Sequence, residues 1–222
     1  MPWFQTNMKK LKDQNTIRTR MKPAPATAVA ILWLLISLFL LGVFSCTKRK
    51  YRGNWYTIKQ GNHYSDSRID KLYGRDNKKS SWIFEVEFED NALYKDTDLI
   101  DPNNYLDINK LIGYSDCGNW HSENSYRIGW RSNDSTIELL SYIRENSQFR
   151  FHTITTVTPG ELITISIDYQ NDKYIACVND ICDTTERTCT DWSGRKYSLF
   201  PFFGGQETAP HDIRIWIKLL DS

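Results

Sequence analysis

The sequence predicts an all-β chain folded as an antiparallel sandwich, and three observations carry that expectation. Apolar and polar residues alternate with a period of two along many short runs. Turn-forming residues separate those runs. No stretch shows a long apolar stripe at helical spacing. Length and composition agree. The 222 residues suit one domain with extras, and eight Trp, twelve Tyr and ten Phe are enough to fill a sandwich core or to build flat ligand platforms. Lys and Arg total 28 against 27 Asp and Glu. That balance lacks the basic excess that a nucleic-acid partner requires. No repeat is visible that would signal a solenoid or propeller.

Residues 28–44, AVAILWLLISLFLLGVF, are almost continuously apolar and are preceded by Lys9, Lys10, Lys12, Arg18, Arg20 and Lys22. A basic segment followed by an apolar one is an export signal. The run ends in Val43-Phe44-Ser45-Cys46, which resembles the lipobox of bacterial lipoproteins and marks Cys46 for lipid attachment. Met21 is an alternative start that would give a compact signal. An uncleaved anchor is the competing reading, supported by Lys48, Arg49, Lys50 and Arg52 just beyond the apolar run. The expected organisation is therefore an extension and signal segment at 1–45, a polar leader arm at 46–81 with one strand near 55–59, and a β-sandwich domain at 82–222.

Within that domain WIFEVEF (82–88) places Trp82, Phe84, Val86 and Phe88 on one face. SYRIGWR (125–131) and TIELLSYI (136–143) flank Ser-Asn-Asp-Ser and read as a hairpin. FRFHTITT (149–156) follows, then a turn at Pro159-Gly160. LITISIDY (162–169) and KYIACV (173–178) form a second hairpin. YSLFPFF (197–203) and DIRIWIKLL (212–220) close the chain. YLDINKLIG (105–113) reads as one helical turn or a short helix.

Cys117, Cys177, Cys182 and Cys189 remain after Cys46, an even number that suits disulfides in an exported domain. One local bridge is expected between 177 and 189, with partners left open. Their spacing does not match a zinc ribbon and only four His occur, so neither a metal nor a cofactor is expected.

The segments DINKLIGYSDCGNWHSENSYRIGW (107–130), KYIACVN (173–179) and YSLFPFFGGQETAPHDIRIWI (197–217) together resemble a group of exported Bacteroidota proteins. The C-terminal part of that group is similar to the jelly roll of concanavalin-like lectins and glucanases. The resemblance implies a jelly-roll, concanavalin-like sandwich and a cell-envelope location, periplasmic or surface-facing. It implies no reaction.

Two clusters are candidate ligand contacts. Trp120, His121, Glu123 and Asn124 precede a strand that carries Arg127, a combination of apolar platform and polar groups that suits a glycan cleft. Arg127 shares a face with Gly129 and Arg131, whereas Trp130 joins Tyr126 and Ile128 on the core face. His211 and Asp212, after Gly204-Gly205 and Pro210, are either a ligand rim or a shaped inter-strand loop. For hydrolysis Glu85 and Glu87 are weak candidates. They lie two apart on one strand face, roughly 7 Å by strand geometry, but an alternating acidic strand is more commonly a solvated face. No nucleophile motif or phosphate loop occurs. The expected partners are the membrane, through lipid on Cys46, and a glycan. The functional expectation is an envelope lipoprotein that binds glycan or another envelope component. A polysaccharide-degrading hydrolase or lyase and an assembly lipoprotein with protein partners only are the alternatives.

Overall fold

The computed structural model describes residues 53–66, 79–189 and 196–220. Cys46 and the apolar segment 28–44 lie outside the described residues. Eleven strands occur among those described: β1 (Asn54–Ile58), β2 (Ser81–Phe88), β3 (Asn109–Ser115), β4 (Ser125–Asn133), β5 (Thr136–Glu145), β6 (Gln148–Val157), β7 (Ile163–Tyr169), β8 (Lys173–Val178), β9 (Ile181–Glu186), β10 (Ser198–Leu199) and β11 (Ile213–Leu220). They form two antiparallel sheets, one ordered β1-β11-β2-β7-β8-β9 and the other β10-β3-β4-β5-β6. This is an antiparallel β-sandwich, a jelly roll of the concanavalin-like type.

The alternation read from the sequence sets the layers. In β2, Trp82, Phe84, Val86 and Phe88 are buried between the sheets while the intervening residues are half-exposed. β11 contributes Ile213, Ile215 and Ile217 to the same core, and β7 contributes Ile163, Ile165 and Ile167. From the other sheet come Ile112, Tyr114, Tyr126, Ile128, Trp130, Ile137 and Leu139. Each such side chain stabilises the fold by roughly 1.5–3 kcal/mol when fully buried.

Both expected hairpins form. β4 pairs with β5 through Asn133↔Thr136, and Asp134 in the turn takes φ 53°. β7 pairs with β8 through Tyr169↔Tyr174.

Four readings are corrected. The segment 105–113 is not a short helix: a 3-10 turn at Pro102–Leu106 leads into β3. β1, expected within an arm ahead of the sandwich, pairs along its length with β11 and is an edge strand of the larger sheet. Residues 181–186 form β9, a polar edge strand without an apolar face to announce it. The run 197–203 contributes only the two-residue β10, followed by a bridge at Phe202.

The cysteines pair as Cys117–Cys189 and Cys177–Cys182. The second is the local bridge expected between 177 and 189, and it joins directly opposed residues of β8 and β9. The first closes a 72-residue separation.

Candidate functional site

The outer face of the five-stranded sheet is where the candidate residues gather. Strand register lays its side chains in rows running across the strands. One row is Leu199, Gly113, Arg127, Tyr142 and Phe151, and the next is Ser115, Ser125, Arg144 and Phe149. Backbone hydrogen bonds in both directions set Phe202 opposite Lys110, so the third row is Phe202, Lys110, Gly129, Leu140 and Thr153.

Lys110 and Gly113 are three residues apart and would face opposite ways in a regular strand. A bulge between Lys110 and Ile112 takes up Leu111 and turns Lys110 onto the outer face. Gly113 is needed because a Cβ there would lie 2.8 Å from Arg127 Cγ and 2.2 Å from the Tyr126 carbonyl oxygen. Gly129 serves similarly, since a Cβ would meet Ile108 Cγ2 at 2.5 Å. That absence lets the segment before β3 close down on the sheet, where Ile108, Leu140 and Tyr142 form a small apolar cluster separate from the main core.

Three cations crowd the centre of this face, and a fourth, Arg131, lies further along it paired with Glu138. The Lys110 ammonium donates to the Gly204 carbonyl at 3.0 Å and lies 5.0 Å from the Tyr142 ring centre. Burial, with the Arg127 charge nearby, lowers its pKa to about 8. Arg144 donates to the Ser147 carbonyl and lies over the Phe149 ring. Arg127 differs from both. Its side chain is only 8% exposed, and its guanidinium lies 5.1 Å from the Tyr142 ring centre. Its Nε, like that of Arg144, is buried and has no hydrogen-bond partner among the described residues, and no other hydrogen bond holds the Arg127 guanidinium there. Burial lowers its pKa to about 10, with Arg144 adding like-charge repulsion. A buried guanidinium without a carboxylate is costly, since such charges are normally paired.

His121 and Tyr197 stand beside these cations. The Tyr197 hydroxyl accepts the His121 backbone N–H at 2.8 Å and lies 2.8 Å from His121 Nδ1. Burial lowers the His121 pKa, and the charges of Arg127 and Arg144 lower it further, so the imidazole is neutral at neutral pH. Trp120 is 69% exposed, with its ring 6.4 Å from that of Tyr197. Asn124 is buried and accepts from the Asn146 backbone N–H, which fixes the loop. Glu123 points to solvent at the loop's outer edge.

The loop rests on a buried polar clamp. Asp116 receives two hydrogen bonds from Arg187, at 2.7 and 3.0 Å, and one from the Tyr174 hydroxyl at 2.7 Å. Both members of the ion pair are fully buried. Asp116, Cys117 and Cys189 also lie close enough to suggest metal ligation. The two sulfurs are bonded to each other, so they offer no thiolate.

The remaining candidates sit elsewhere. Asp212 accepts from Lys59 Nζ at 2.8 Å and from the Gln60 N–H at 3.0 Å, and His211 Nε2 lies 2.8 Å from the Asn91 carbonyl. All of these partners belong to turns that flank the six-stranded sheet. Glu85 and Glu87 lie on the outer face of that same sheet, where Glu85 pairs with Lys218 at 2.6 Å. Neither carboxylate approaches Arg127's face. Lys110, Tyr142, Arg144 and Tyr197 were not singled out in the sequence. Strand parity with Arg127 across the β4–β5 hairpin was the available signal for Tyr142 and Arg144.

The chain matches no protein-family model, and no curated protein resembles it significantly. Solved structures do resemble it. The alginate lyase AlyC3 superposes with a TM-score of 0.51 at 12% identity, over 78% of this chain and 75% of that one. An alginate lyase from Pseudomonas aeruginosa gives 0.45 at 10% identity, over 67% of each chain. A family GH16 endo-β-1,3(4)-glucanase gives 0.39 at 10% identity, with 57% of its length covered. At such identities the likeness to AlyC3 establishes the jelly-roll fold and nothing finer.

Proposed function

We propose that the protein is an envelope lipoprotein whose five-stranded sheet binds an acidic polysaccharide by its carboxylates. The observation that carries this reading is Arg127, a buried guanidinium on the floor of an outer sheet face whose Nε has no partner, and which makes no ion pair, among the described residues. Lys110 and Arg144 flank it, and the nearest outer-face carboxylate along these strands, Glu138, is already paired with Arg131, so the centre of the face is prepared for negative charge from outside. The Tyr142 ring, beside Arg127 in the same row, offers a flat surface for a sugar. The shared fold with an alginate lyase is compatible with this choice of ligand.

The direct test is titration of the folded protein with alginate oligosaccharides and with neutral β-glucan oligosaccharides. Binding of the acidic series alone, weakened at least tenfold by Arg127→Met, is the expected result. Equal binding of neutral glucan, or an Arg127→Met variant with unchanged affinity, would refute it. The lipoprotein component rests on the apolar segment and the lipobox-like Cys46. Incorporation of labelled fatty acid that disappears in Cys46→Ser is its test.

One observation favours a second reading, a lyase acting by β-elimination. A neutral His121 hydrogen-bonded to Tyr197 stands beside the proposed carboxylate anchor. A carboxylate bound by Arg127 would acidify the C5 proton of its sugar. Removal of that proton by one member of the pair, cleavage of the C4–O bond and return of a proton to the leaving oxygen would give a C4=C5 double bond. Ultraviolet absorbance from that double bond, lost in His121→Ala, would select this reading. Hydrolysis by Glu85 and Glu87 is disfavoured by their position on the opposite sheet.

A further inference from the structure

The same face carries two aromatic margins that extend beyond the cationic centre, which touches them only where Arg144 lies over Phe149 and Lys110 over Phe202. On β6, Phe149 is 58% and Phe151 is 41% exposed, although both belong to the rows that contain Arg144 and Arg127. Phe149 lies nearly parallel to Tyr142, with ring centres 6.0 Å apart and planes 11° apart. Beyond β3, on the other side, Phe202 stands opposite Lys110, and Tyr64 pairs with Phe202 in turn. His63 stacks on Phe202 at 5.1 Å, and Tyr64 meets it edge-on at 5.0 Å while remaining 74% exposed.

Large apolar rings left in water at both margins of a charged face are unfavourable unless something covers them. Here the spacing identifies the cover. Arg127 lies on β4. The β6 margin is two strands away through β5, and the Phe202 segment is two strands away through β3. At about 4.8 Å per strand, each margin is roughly 10 Å from the anchor. A pyranose repeat is of the order of one strand spacing.

Resting on the acidic-polysaccharide reading, we propose that Phe149 and Phe151 on one side, and Tyr64 and Phe202 on the other, are outer sugar-stacking subsites. They make the face a groove for an internal stretch of chain laid across the strands. A disaccharide anchored at Arg127 reaches neither margin fully, whereas a pentamer or hexamer covers both. The central subsite selects charge and the margins select length. The aromatic faces pack against the apolar faces of the sugars and are indifferent to their carboxylates.

The experiment is a chain-length series, from dimer to hexamer of alginate oligosaccharide, titrated into the full protein. Wild-type affinity is expected to rise at least tenfold from dimer to hexamer. The Phe151→Ala variant should lose about threefold to tenfold of that gain and leave the dimer unchanged. Tyr64→Ala should remove a separate part of it. These side chains are exposed, and a melting curve matching the wild type confirms that each variant is folded. A wild type that binds hexamer no tighter than dimer overturns the inference while leaving the carboxylate anchor intact. So do variants that weaken dimer and hexamer by the same factor. Folded wild-type protein that binds no member of the series removes the underlying reading and this one with it.

Discussion

Replacing Arg127 by Met should make the protein more stable and less able to bind. The guanidinium is buried, its Nε has no acceptor among the described residues, and its pKa falls from 12.5 to about 10. At 1.36 kcal/mol per unit, that shift means about 3 kcal/mol set against the charged form in the folded state. Methionine keeps an unbranched chain of similar reach and removes the charge. The substitution also gives up the contact with the Tyr142 ring at 5.1 Å, worth about 1–2 kcal/mol at a desolvated site. The net expectation is a gain of about 1–2 kcal/mol. For a domain of this size it corresponds to a rise in melting temperature of about 2–8 °C. Thermal unfolding followed by circular dichroism, at pH 7 without ligand, reads it directly. A binding site that lowers the stability of its own scaffold is a common exchange. A fall in melting temperature, with affinity for acidic oligosaccharide retained, would show that Arg127 is a structural residue satisfied in some other way. The carboxylate-anchor argument would then fail.

Three further outcomes are expected. Lys110, with its pKa near 8, should be charged below that value and neutral above it. Affinity for an acidic oligosaccharide should therefore decline as pH rises from 7 to 9, and Lys110→Arg should flatten the decline in a calorimetric pH series. Asp116→Ala leaves the buried Arg187 without a carboxylate from Asp116 and should cost about 3–5 kcal/mol in urea unfolding, whereas replacing both by apolar residues should recover most of the loss. Opening the 72-residue loop by Cys117→Ser/Cys189→Ser should cost about 4 kcal/mol on the chain-entropy argument, and opening the short Cys177–Cys182 loop about 2 kcal/mol. A reversed order in denaturant midpoints would contradict that argument.

The sandwich was legible because its core strands alternate cleanly. β2, β4, β5, β7, β8 and β11 each bury every second residue against one core, and that pattern survives in sequence. β3 did not show itself. Its bulge at Leu111 breaks the period of two, and every residue of the strand is buried, so neither face is marked by polarity. β9 was hidden for the opposite reason, since ICDTTE is polar almost throughout. The site was legible in part. Arg127 was placed on the correct face by parity with Gly129 and Arg131, and the loop at Trp120 and His121 was recognised by composition. Lys110, Arg144 and Tyr197 are scattered along the chain and meet only through strand register and one bulge. His211 and Asp212 were open to two readings, a ligand rim or a shaped inter-strand loop, and their polar groups bond to Asn91, Lys59 and Gln60. Local composition identifies residues able to bind. Which face they occupy depends on pairing between distant strands.

The clamp beneath the His121 loop is best understood as a positioning device. A fully buried ion pair contributes little net stability, because removing both charges from water offsets most of their attraction. Asp116 and Arg187 nevertheless sit where the loop leaves β3, and Cys117 is bonded to Cys189 at the next residue. Downstream, the Ser125 hydroxyl donates to the His121 carbonyl at 2.8 Å, and Asn124 accepts from the Asn146 N–H. Tyr197 holds His121 from a third direction. The loop is thus fixed at its start, its middle and its end by groups from β8, β10's approach and the β5–β6 turn. Loops left free must be ordered when ligand arrives, and that ordering weakens binding. This loop is ordered in advance, with its histidine already beside the cations. Geometry fixed from three directions is what the proposed ligand-facing role of this loop requires.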